Sequence, residues 1–371
     1  MRQSQGFGGR IRVGVIGCGE VAQIAHLPAL AQLSARFEVA ALCDSSPQVL
    51  DGVGDAWGVA HRYDDARALV ARDDLDAVLV ASPDEFHAEA ALAALAAGKD
   101  VLVEKPLCLN TRECDEISAA ADAASAIVQV GYMRGHAAAL AEAKAALAQL
   151  GEIRFARVHD FVGRIELIIE QTARVIRADD ATPRSGATAS ARREALVSEA
   201  VGALPATVRP AYDQLLSLGC HGISTMRRLL GQPAGVAYAT ARQGGAYLSA
   251  TLDYGSYVCQ FETGYDEIPR FDSHVEVYGA DRVLRVDYDT PYVRNLPVRL
   301  SLLDATGGGL VDSTVQPDWG DPFVAEWLAF HESVTRRVAP QASAADFRND
   351  LELFAAMAEL MAAEVPEPVA G

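Results

Sequence analysis

The sequence lacks the patterns that mark proteins which bind nucleic acid or span a membrane. Its 371 residues include 32 Lys and Arg against 50 Asp and Glu, which gives a formal net charge of −18 at pH 7. Such a chain has no basic stripe with which to neutralise phosphates, so we expect no nucleic-acid partner. No apolar run approaches the roughly 18 residues that a transmembrane helix needs, and we expect no membrane partner.

Disulfide and zinc patterns are also missing. The six cysteines form no C-x-x-C pair, and the eight histidines include no pair at helical ligand spacing. These absences predict buried free thiols and no metal site. Residues 1–10, MRQSQGFGGR, lack the apolar core of a secretory signal, so we expect a flexible leader and a cytoplasmic protein.

Strand and helix patterns alternate from residue 11 to about residue 134. The apolar strands are short and nearly continuous, as in Phe37–Cys43 and Asp100–Glu104, and helical segments separate them. This order predicts an α/β domain with a doubly wound parallel sheet, the Rossmann architecture.

The pattern changes beyond Gly151, where tight turns such as Gly244-Gly245 join successive strand-like stretches. We therefore assign residues 135–371 to an α+β domain with a large, mostly antiparallel open sheet. Within it, residues 165–210 are predicted to form a helical insertion interrupted by the flexible segment Thr182–Ser190, TPRSGATAS. Three roles stay open for this insertion: a surface excursion, a lid over a substrate cleft, or an oligomer contact. The predicted strands are Ile153–Phe161, Gly235–Arg242, Ala246–Leu252, Ser256–Glu262, His274–Tyr278 and Val283–Tyr288.

Residues 12–22, RVGVIGCGEVA, have the strand–turn–helix pattern that binds the pyrophosphate of a dinucleotide. Gly17 permits the tight turn, Gly19 lets the backbone approach the phosphates, and Ala22 lets the following helix pack closely on the strand. The helix N-terminus offers unpaired N–H groups and a partial positive charge to an anion. We therefore expect cofactor contacts from Gly17, Cys18, Gly19, Glu20 and Val21.

The second strand ends at Asp44, the place where an acidic residue binds the adenosine ribose hydroxyls of a dinucleotide. Asp44 also suits the N-cap of the next helix, and the two roles are compatible. A carboxylate about 4 Å from a 2′-phosphate repels it by roughly 4 kcal/mol per unit charge at an intermediate dielectric. Because no Arg or Lys follows at residues 45–47, the sequence predicts NAD rather than NADP.

Further polar residues follow the later strands of the predicted parallel sheet. Ser82-Pro83 and His87 come after one strand, Glu104-Lys105 ends the next, and Arg134 follows the one after that. Ligands bind at the carboxyl ends of strands in open α/β sheets. A lysine that ends a strand before a proline directs a charged amine into this crevice, although an ordinary surface lysine is the alternative.

With these motifs the sequence resembles the glucose-fructose oxidoreductase / inositol dehydrogenase / MocA-like (Gfo/Idh/MocA) family of pyridine-nucleotide oxidoreductases. The resemblance implies a Rossmann domain followed by an antiparallel sheet whose open face forms a homodimer or homotetramer contact. It also implies oxidation or reduction of a hydroxyl on a sugar, glycoside or cyclitol. The matching pieces are GCGEVA (17–22), S-P-x-x-x-H (82–87), AGKDVLVEKP (97–106), GYMR (131–134), LGCHGIS (218–224) and YGADRVLRVDY (278–288).

By this resemblance, Lys105 contacts the nicotinamide ribose and the substrate hydroxyl, and His221 is the acid/base residue. Glu104 and His87 line the nicotinamide side. A positioned histidine contributes roughly 10²–10⁴-fold by general base catalysis, and a nearby ammonium stabilises a developing alkoxide. The other candidate contacts are Ser82, Pro83 and Arg134 for the cofactor and Arg134, His159 and Tyr212 for the substrate. A core histidine at a helix start is the alternative for His221.

One departure from the family concerns the support of His221. Many relatives carry an aspartate four residues before this histidine and often another directly after it, where this chain has Ser217 and Gly222. A serine cannot supply the negative charge that orients an imidazole. Asp213, Ser217 and His221 are spaced i, i+4, i+8 along one helical face, so we predict that Asp213 supports catalysis. An N-terminal cap is the alternative for Asp213.

These observations predict an NAD-dependent dehydrogenase that acts on a CH–OH group of a small sugar-like substrate. Two alternatives stay open. An enzyme that retains and recycles NAD would catalyse epimerisation, elimination or glycoside cleavage. A non-catalytic NAD-binding regulator would keep its partner binding after the loss of Lys105.

Overall fold

The computed structural model describes residues 9–178, 183–202 and 204–363, with side chains described except at 183–186. The chain divides into two compact units. The first unit contains the chain up to Tyr132 together with Ala173–Leu196 and Phe323–Asn349, and the second contains the rest. The predicted domain boundary at residue 134 had assigned both of these later segments to the second domain.

The first unit contains a six-stranded parallel sheet in the order β3-β2-β1-β4-β5-β6. The central strands are almost entirely buried because helices cover both faces, as the apolar runs predicted. The doubly wound Rossmann prediction is confirmed. The strands are β1 Ile11–Ile16, β2 Phe37–Cys43, β3 Arg62–Tyr63, β4 Ala77–Val80, β5 Asp100–Glu104 and β6 Val128–Gly131.

Some helices of this unit begin next to a residue whose side chain caps them. The Ser46 side chain accepts a hydrogen bond from the backbone of Val49, and Asn110 accepts one from Glu113, so each caps the helix that follows. A π-helical segment, Ala22–His26, leads into the first α-helix. The helices up to residue 132 are α1 Leu27–Gln32, α2 Pro47–Trp57, α3 Ala66–Val70, α4 His87–Ala96 and α5 Thr111–Ala124, with a 3₁₀ turn at Asp84–Phe86.

The second unit contains an eight-stranded sheet in the order β14-β13-β12-β11-β7-β10-β9-β8. Every pairing is antiparallel except β7 with β10, so the mostly antiparallel prediction is confirmed. The sequence patterns missed the last two strands. The strands are β7 Phe155–Gly163, β8 Gly235–Arg242, β9 Tyr247–Asp253, β10 Val258–Asp266, β11 Phe271–Tyr278, β12 Arg282–Tyr288, β13 Arg299–Asp304 and β14 Val311–Val315.

A continuous helical stretch carries the LGCHGIS motif of the second unit. It consists of α9 Arg209–Gln214, a π-helical segment Leu215–Gly219 and α10 Cys220–Leu230. No helix among the described residues is long and apolar enough to cross a bilayer. The other helices are α6 Ala138–Leu147, α7 Ile165–Thr172, α8 Pro183–Val201, α11 Pro322–Arg336 and α12 Ala344–Ala363.

Two other expectations can be compared with the structure. The flexible interruption predicted at Thr182–Ser190 is wrong from Pro183 onward, because α8 runs through it. Thr182 lies outside the described residues. All six cysteines are buried free thiols, as predicted. Burial and the neighbouring Asp44 raise the pKa of the Cys43 thiol to about 12, so it stays protonated and unreactive at neutral pH.

Candidate functional site

The two glycines of the Gly-rich turn meet different demands. Gly17 has φ +91°, and a β-carbon on it would lie 2.3 Å from the carbonyl oxygen of Ala81. No described atom lies within 4 Å of the corresponding point at Gly19. The fold therefore requires glycine at residue 17, whereas Gly19 leaves open space against the backbone that a phosphate can enter.

Both carboxylate oxygens of Asp44 accept backbone hydrogen bonds. Oδ2 accepts from the N–H of Cys18 at 2.8 Å, and Oδ1 accepts from the N–H of Ser46 at 2.9 Å. The suggestion that Asp44 caps the next helix is wrong, because the Ser46 hydroxyl takes that place. Each carboxylate oxygen can accept more than one hydrogen bond, so ribose hydroxyls remain compatible with this geometry.

His87 joins two loops at the carboxyl edge of the sheet. Its Nε2 lies 2.7 Å from the carbonyl oxygen of Ser82 and its Nδ1 lies 2.7 Å from that of Pro106. The side chain is buried, and both of its polar atoms are used within the protein. The expected contact between His87 and nicotinamide therefore has no support in the geometry. Pro83 is exposed, and the buried Ser82 hydroxyl has no hydrogen-bond partner among the described residues.

Glu104 lies at the end of β5 in a buried polar cluster. Its Oε1 is 2.7 Å from Nε2 of His26, and its Oε2 accepts the backbone N–H of Lys105 at 3.1 Å. The indole N–H of Trp327 donates to Nδ1 of His26 at 3.1 Å. Because Nδ1 accepts, the proton of a neutral His26 ring lies on Nε2 and points at Glu104. Burial opposes ionisation of Glu104, but the hydrogen bond with His26 and the charge of Lys105 hold its pKa below the ordinary value.

This cluster also has the composition of a cation site. The ligand atoms of His26, Glu104 and Glu326 all lie within 4.8 Å of one another. Both ring nitrogens of His26 are, however, engaged by Glu104 and Trp327, and a metal would have to displace one of them. The hydrogen bonds account for the placement of His26 and Glu104, and the absence of a metal stays a prediction.

Residues 173–178, named here the strap, contact the Gly-rich turn within the first unit. The Gln23 side chain donates to the carbonyl oxygens of Cys18 at 2.8 Å and Ile176 at 2.9 Å. Arg177 forms an ion pair with Glu20 at 2.6 Å. The sequence analysis missed these contacts, since no local pattern relates the insertion to a turn that lies about 155 residues earlier along the chain.

In the second unit, His221 lies in the first turn of α10 and is 8% exposed. The helix already runs through Asp213, and Gly219 does not interrupt it, as the idea of support from Asp213 requires. The π-helical segment between the two residues changes the rotation per residue, so an i, i+4, i+8 spacing no longer defines one face. Ser217 donates to the carbonyl oxygen of Gln214 and accepts from the Tyr265 hydroxyl, both at 3.3 Å.

A buried carboxylate from the sheet lies close to the start of α10. A β-carbon on Gly222 would lie 2.9 Å from Val158 and 3.6 Å from Oδ2 of Asp160. An aspartate after the histidine would therefore collide with β7, which explains the glycine. Asp160 brings a negative charge to the same place, and its Oδ1 has no hydrogen-bond partner among the described residues.

Arg134 is the counter-ion of Asp160. Its Nη1 lies 2.7 Å from Asp160 Oδ2 and 2.9 Å from the Ser273 hydroxyl, and the side chain is 6% exposed. The guanidinium also lies over the rings of Phe271 and Tyr288. These contacts indicate a structural role within the second unit, and the expected contacts with cofactor and substrate stay predictions.

The geometry separates one expected substrate residue, His159, from His221 and buries another, Tyr212. Buried Val158 and Asp160 face α10, while His159 alternates with them along β7 and points from the opposite face. There it lies 2.9 Å from Glu262 and stacks on His274. One small substrate cannot contact both His159 and His221. Tyr212 is 1% exposed and belongs to the core of the second unit.

The carboxyl edge of the first unit's sheet suits a dinucleotide. Open backbone at Gly19, a helix beginning just after it, the Asp44 carboxylate and the buried Ser82 hydroxyl all follow parallel strands. These features offer donors for phosphates and acceptors for ribose hydroxyls. Lys105 follows the next strand at the same edge.

Comparison with known proteins agrees with this site. Residues 11–132 match the model of an oxidoreductase family with an NAD-binding Rossmann fold. Oxidoreductase P35 of Formosa agariphila is 34% identical over 125 residues, which cover 34% of this chain and 39% of that protein. Inositol 2-dehydrogenase of Pseudomonas syringae is 38% identical over 146 residues, which cover 38% of this chain and 43% of the relative. The matches thus span less than half the length of these curated relatives.

Similarity of fold extends over nearly the whole chain. An NAD-binding oxidoreductase from Klebsiella pneumoniae has a TM-score of 0.74 at 21% identity, covering 96% of this chain and 98% of that structure. KijD10, a 3-ketoreductase from Actinomadura kijaniata solved with NADP, has a TM-score of 0.71 at 21% identity, covering 93% and 96%. Residues 11–132 are thus similar to the Gfo/Idh/MocA family of oxidoreductases, and over the whole chain the solved structures show a similarity of fold alone.

Proposed function

We propose that this chain is an NAD-dependent dehydrogenase acting on a secondary hydroxyl of a sugar, glycoside or cyclitol. The observation that carries the proposal is the carboxyl edge of the first unit's sheet. There the open backbone of Gly19 and the carboxylate of Asp44 lie beside strands that end at Ser82 and Lys105. Ligands of open α/β sheets bind at this edge.

The chemistry divides between cofactor and protein. When bound, NAD supplies the acceptor for the hydride that leaves the carbinol carbon. His221 takes the proton of the substrate hydroxyl, and the ammonium of Lys105 stabilises the negative charge that develops on its oxygen. The Glu104 carboxylate fixes the backbone at Lys105 through its hydrogen bond from the Lys105 N–H.

A neutral polyol as substrate is compatible with the pairing of Arg134. Arg134, a candidate partner for a substrate carboxylate or phosphate, is already paired with buried Asp160. The names of two similar proteins, inositol 2-dehydrogenase and 3-ketoreductase, concern substrates that carry hydroxyl or keto groups. This supports a sugar or cyclitol as the substrate class.

Screening sugars, glycosides and cyclitols for NADH formation by absorbance tests the proposal. With an active substrate, Lys105→Ala and His221→Ala should each lower kcat by roughly 10²-fold or more. Lys144→Ala and His61→Ala, which change exposed residues, are matched controls that should keep wild-type rates. Unchanged turnover in the Lys105 and His221 variants would disprove their assigned roles.

Variants of two carboxylates test which of them supports the His221 imidazole. Asp213→Asn lowers kcat much as His221→Ala does if Asp213 acts on the imidazole, as the helical spacing suggested. Asp160 is the other source of negative charge near the start of α10. A larger loss in Asp160→Asn than in Asp213→Asn, at equal amounts of folded protein, would move the role from the helix to the sheet.

The alternatives differ in their products. A dehydrogenase releases NADH in proportion to oxidised substrate, whereas an enzyme that recycles its NAD converts substrate without net NADH. A regulator binds NAD and a partner without turnover. We also propose a homodimer or homotetramer formed through the open face of the second sheet, which light scattering of the purified chain would test.

A further inference from the structure

One side chain fastens the strap, residues 173–178, to the Gly-rich turn. The Gln23 amide nitrogen donates to the carbonyl oxygens of Cys18 and Ile176, and its Oε1 accepts the N–H of Ile176 at 2.8 Å. Gln23 is buried, and the Ile176 side chain also lies against Gly52, where an added β-carbon would be 3.1 Å away. The strap is therefore a packed part of the first unit at the turn.

The strap brings a positive charge to a turn that carries negative ones. Arg177 Nη2 lies 2.6 Å from Oε2 of Glu20, the residue directly after Gly19. The carboxylate of Asp44 is bound to the N–H of Cys18 on the same turn. Two carboxylates beside the start of a helix oppose the approach of a pyrophosphate, which itself carries two negative charges.

We propose that Arg177 is a pyrophosphate-binding residue and that the strap completes the dinucleotide site of this chain. The inference rests on the proposed function, because it takes the Gly-rich turn to bind NAD. The Arg177 side chain is 53% exposed, so a ligand can reach it. A guanidinium has five N–H donors in a planar fork, which suits phosphate oxygens, and one of its nitrogens contacts Glu20.

The backbone and the strap then have different roles in binding the pyrophosphate at the turn. Gly19 and the helix start offer backbone N–H groups, and Arg177 compensates the charge that Glu20 and Asp44 place beside them. Gln23 holds the strap so that the arginine stays within reach. Residues far apart in sequence thus form one phosphate-binding surface within the first unit.

Binding of NAD, ADP-ribose and adenosine to purified Arg177→Gln tests the inference without any turnover. We expect NAD and ADP-ribose to bind about tenfold more weakly than to the wild type, and adenosine to bind equally, since only adenosine lacks phosphate. Arg177→Lys should recover part of the loss. Arg174→Gln changes another arginine of the same strap and is the matched control, which should bind all three ligands as the wild type does.

Two further measurements sharpen the result. Raising the salt concentration should weaken NAD binding less in Arg177→Gln than in the wild type, because one charge contact is gone. Gln23→Met, which releases the strap but leaves every charge in place, should also weaken NAD binding. Its effect should be smaller in a chain that already carries Arg177→Gln, because the two residues act on the same contact.

The outcomes separate the inference from the proposed function. If the wild type binds NAD and Arg177→Gln binds it equally well, the inference is overturned while the proposed function stands. Equal losses for adenosine and NAD would make Arg177 a purely structural residue and would also overturn it. A wild-type chain that binds no NAD would overturn both.

Discussion

The carboxylate of Asp44, at the end of β2, accepts a hydrogen bond from the backbone N–H of Cys18 at 2.8 Å. This bond ties the strand end to the Gly-rich turn that follows β1. The second carboxylate oxygen accepts the N–H of Ser46, so the side chain is held from two sides. Its negative charge therefore occupies a fixed place at the turn whatever ligand approaches.

We expect this fixed charge to select NAD over NADP. A 2′-phosphate about 4 Å from the Asp44 carboxylate is repelled by roughly 4 kcal/mol per unit charge at an intermediate dielectric. The ratio of kcat/KM, or of the two dissociation constants, should favour NAD by at least about tenfold. Because KijD10 was solved with NADP, similarity of fold does not decide the choice. Equal constants for the two cofactors would remove Asp44 from this role.

Alanine at each glycine of the turn should separate folding from cofactor binding. A β-carbon at Gly17 would lie 2.3 Å from the Ala81 carbonyl oxygen at a φ of +91°, so Gly17→Ala should unfold or strongly destabilise the protein. Gly19→Ala meets no described atom within 4 Å and should keep the midpoint of urea unfolding. It should nevertheless weaken NAD binding, measured by NADH fluorescence. Unchanged NAD affinity in folded Gly19→Ala would contradict the assignment of the turn.

The Arg134–Asp160 pair should show strong energetic coupling. Both side chains are buried, and Arg134→Met leaves the carboxylate without its counter-ion, at a cost of about 3–5 kcal/mol in the free energy of unfolding. Arg134→Met combined with Asp160→Asn should be less destabilised than Arg134→Met alone. Urea unfolding of the two single variants and the double variant measures the coupling. Purely additive effects would show that the pair contributes nothing beyond its separate contacts.

His136 should make the protein less stable in mild acid. Burial and the neighbouring Arg228 lower the pKa of His136 from 6.5 to about 3, so the folded state keeps the ring neutral while the unfolded chain binds a proton below pH 6.5. The stability that depends on the neutral ring is present above pH 6.5 and is lost as the pH falls. Between pH 7 and pH 5 the loss is about 2 kcal/mol. The stability of His136→Gln, followed by urea unfolding, should vary less with pH over this interval, and an equal slope would refute the assignment.

Local patterns were sufficient to predict the first sheet and its Gly-rich turn. Apolar strands buried on both faces read as continuous runs, and each is followed directly by the residue that ends it, such as Asp44 or Lys105. The turn glycines could be assigned because their requirement is a property of the backbone at one position.

Local sequence patterns could not predict the contacts between distant segments. The side chain of Gln23 meets Ile176 across 153 residues, and Asp160 meets Arg134 across 26, so no periodicity links either pair. The face of β7 on which a side chain lies depends on what packs against the strand, which is why Asp160, and not the predicted His159, faces α10. Sequence therefore specified the strand ends and the chemistry they carry, while packing chose the partners of those groups, because burial and charge compensation depend on the surroundings in space.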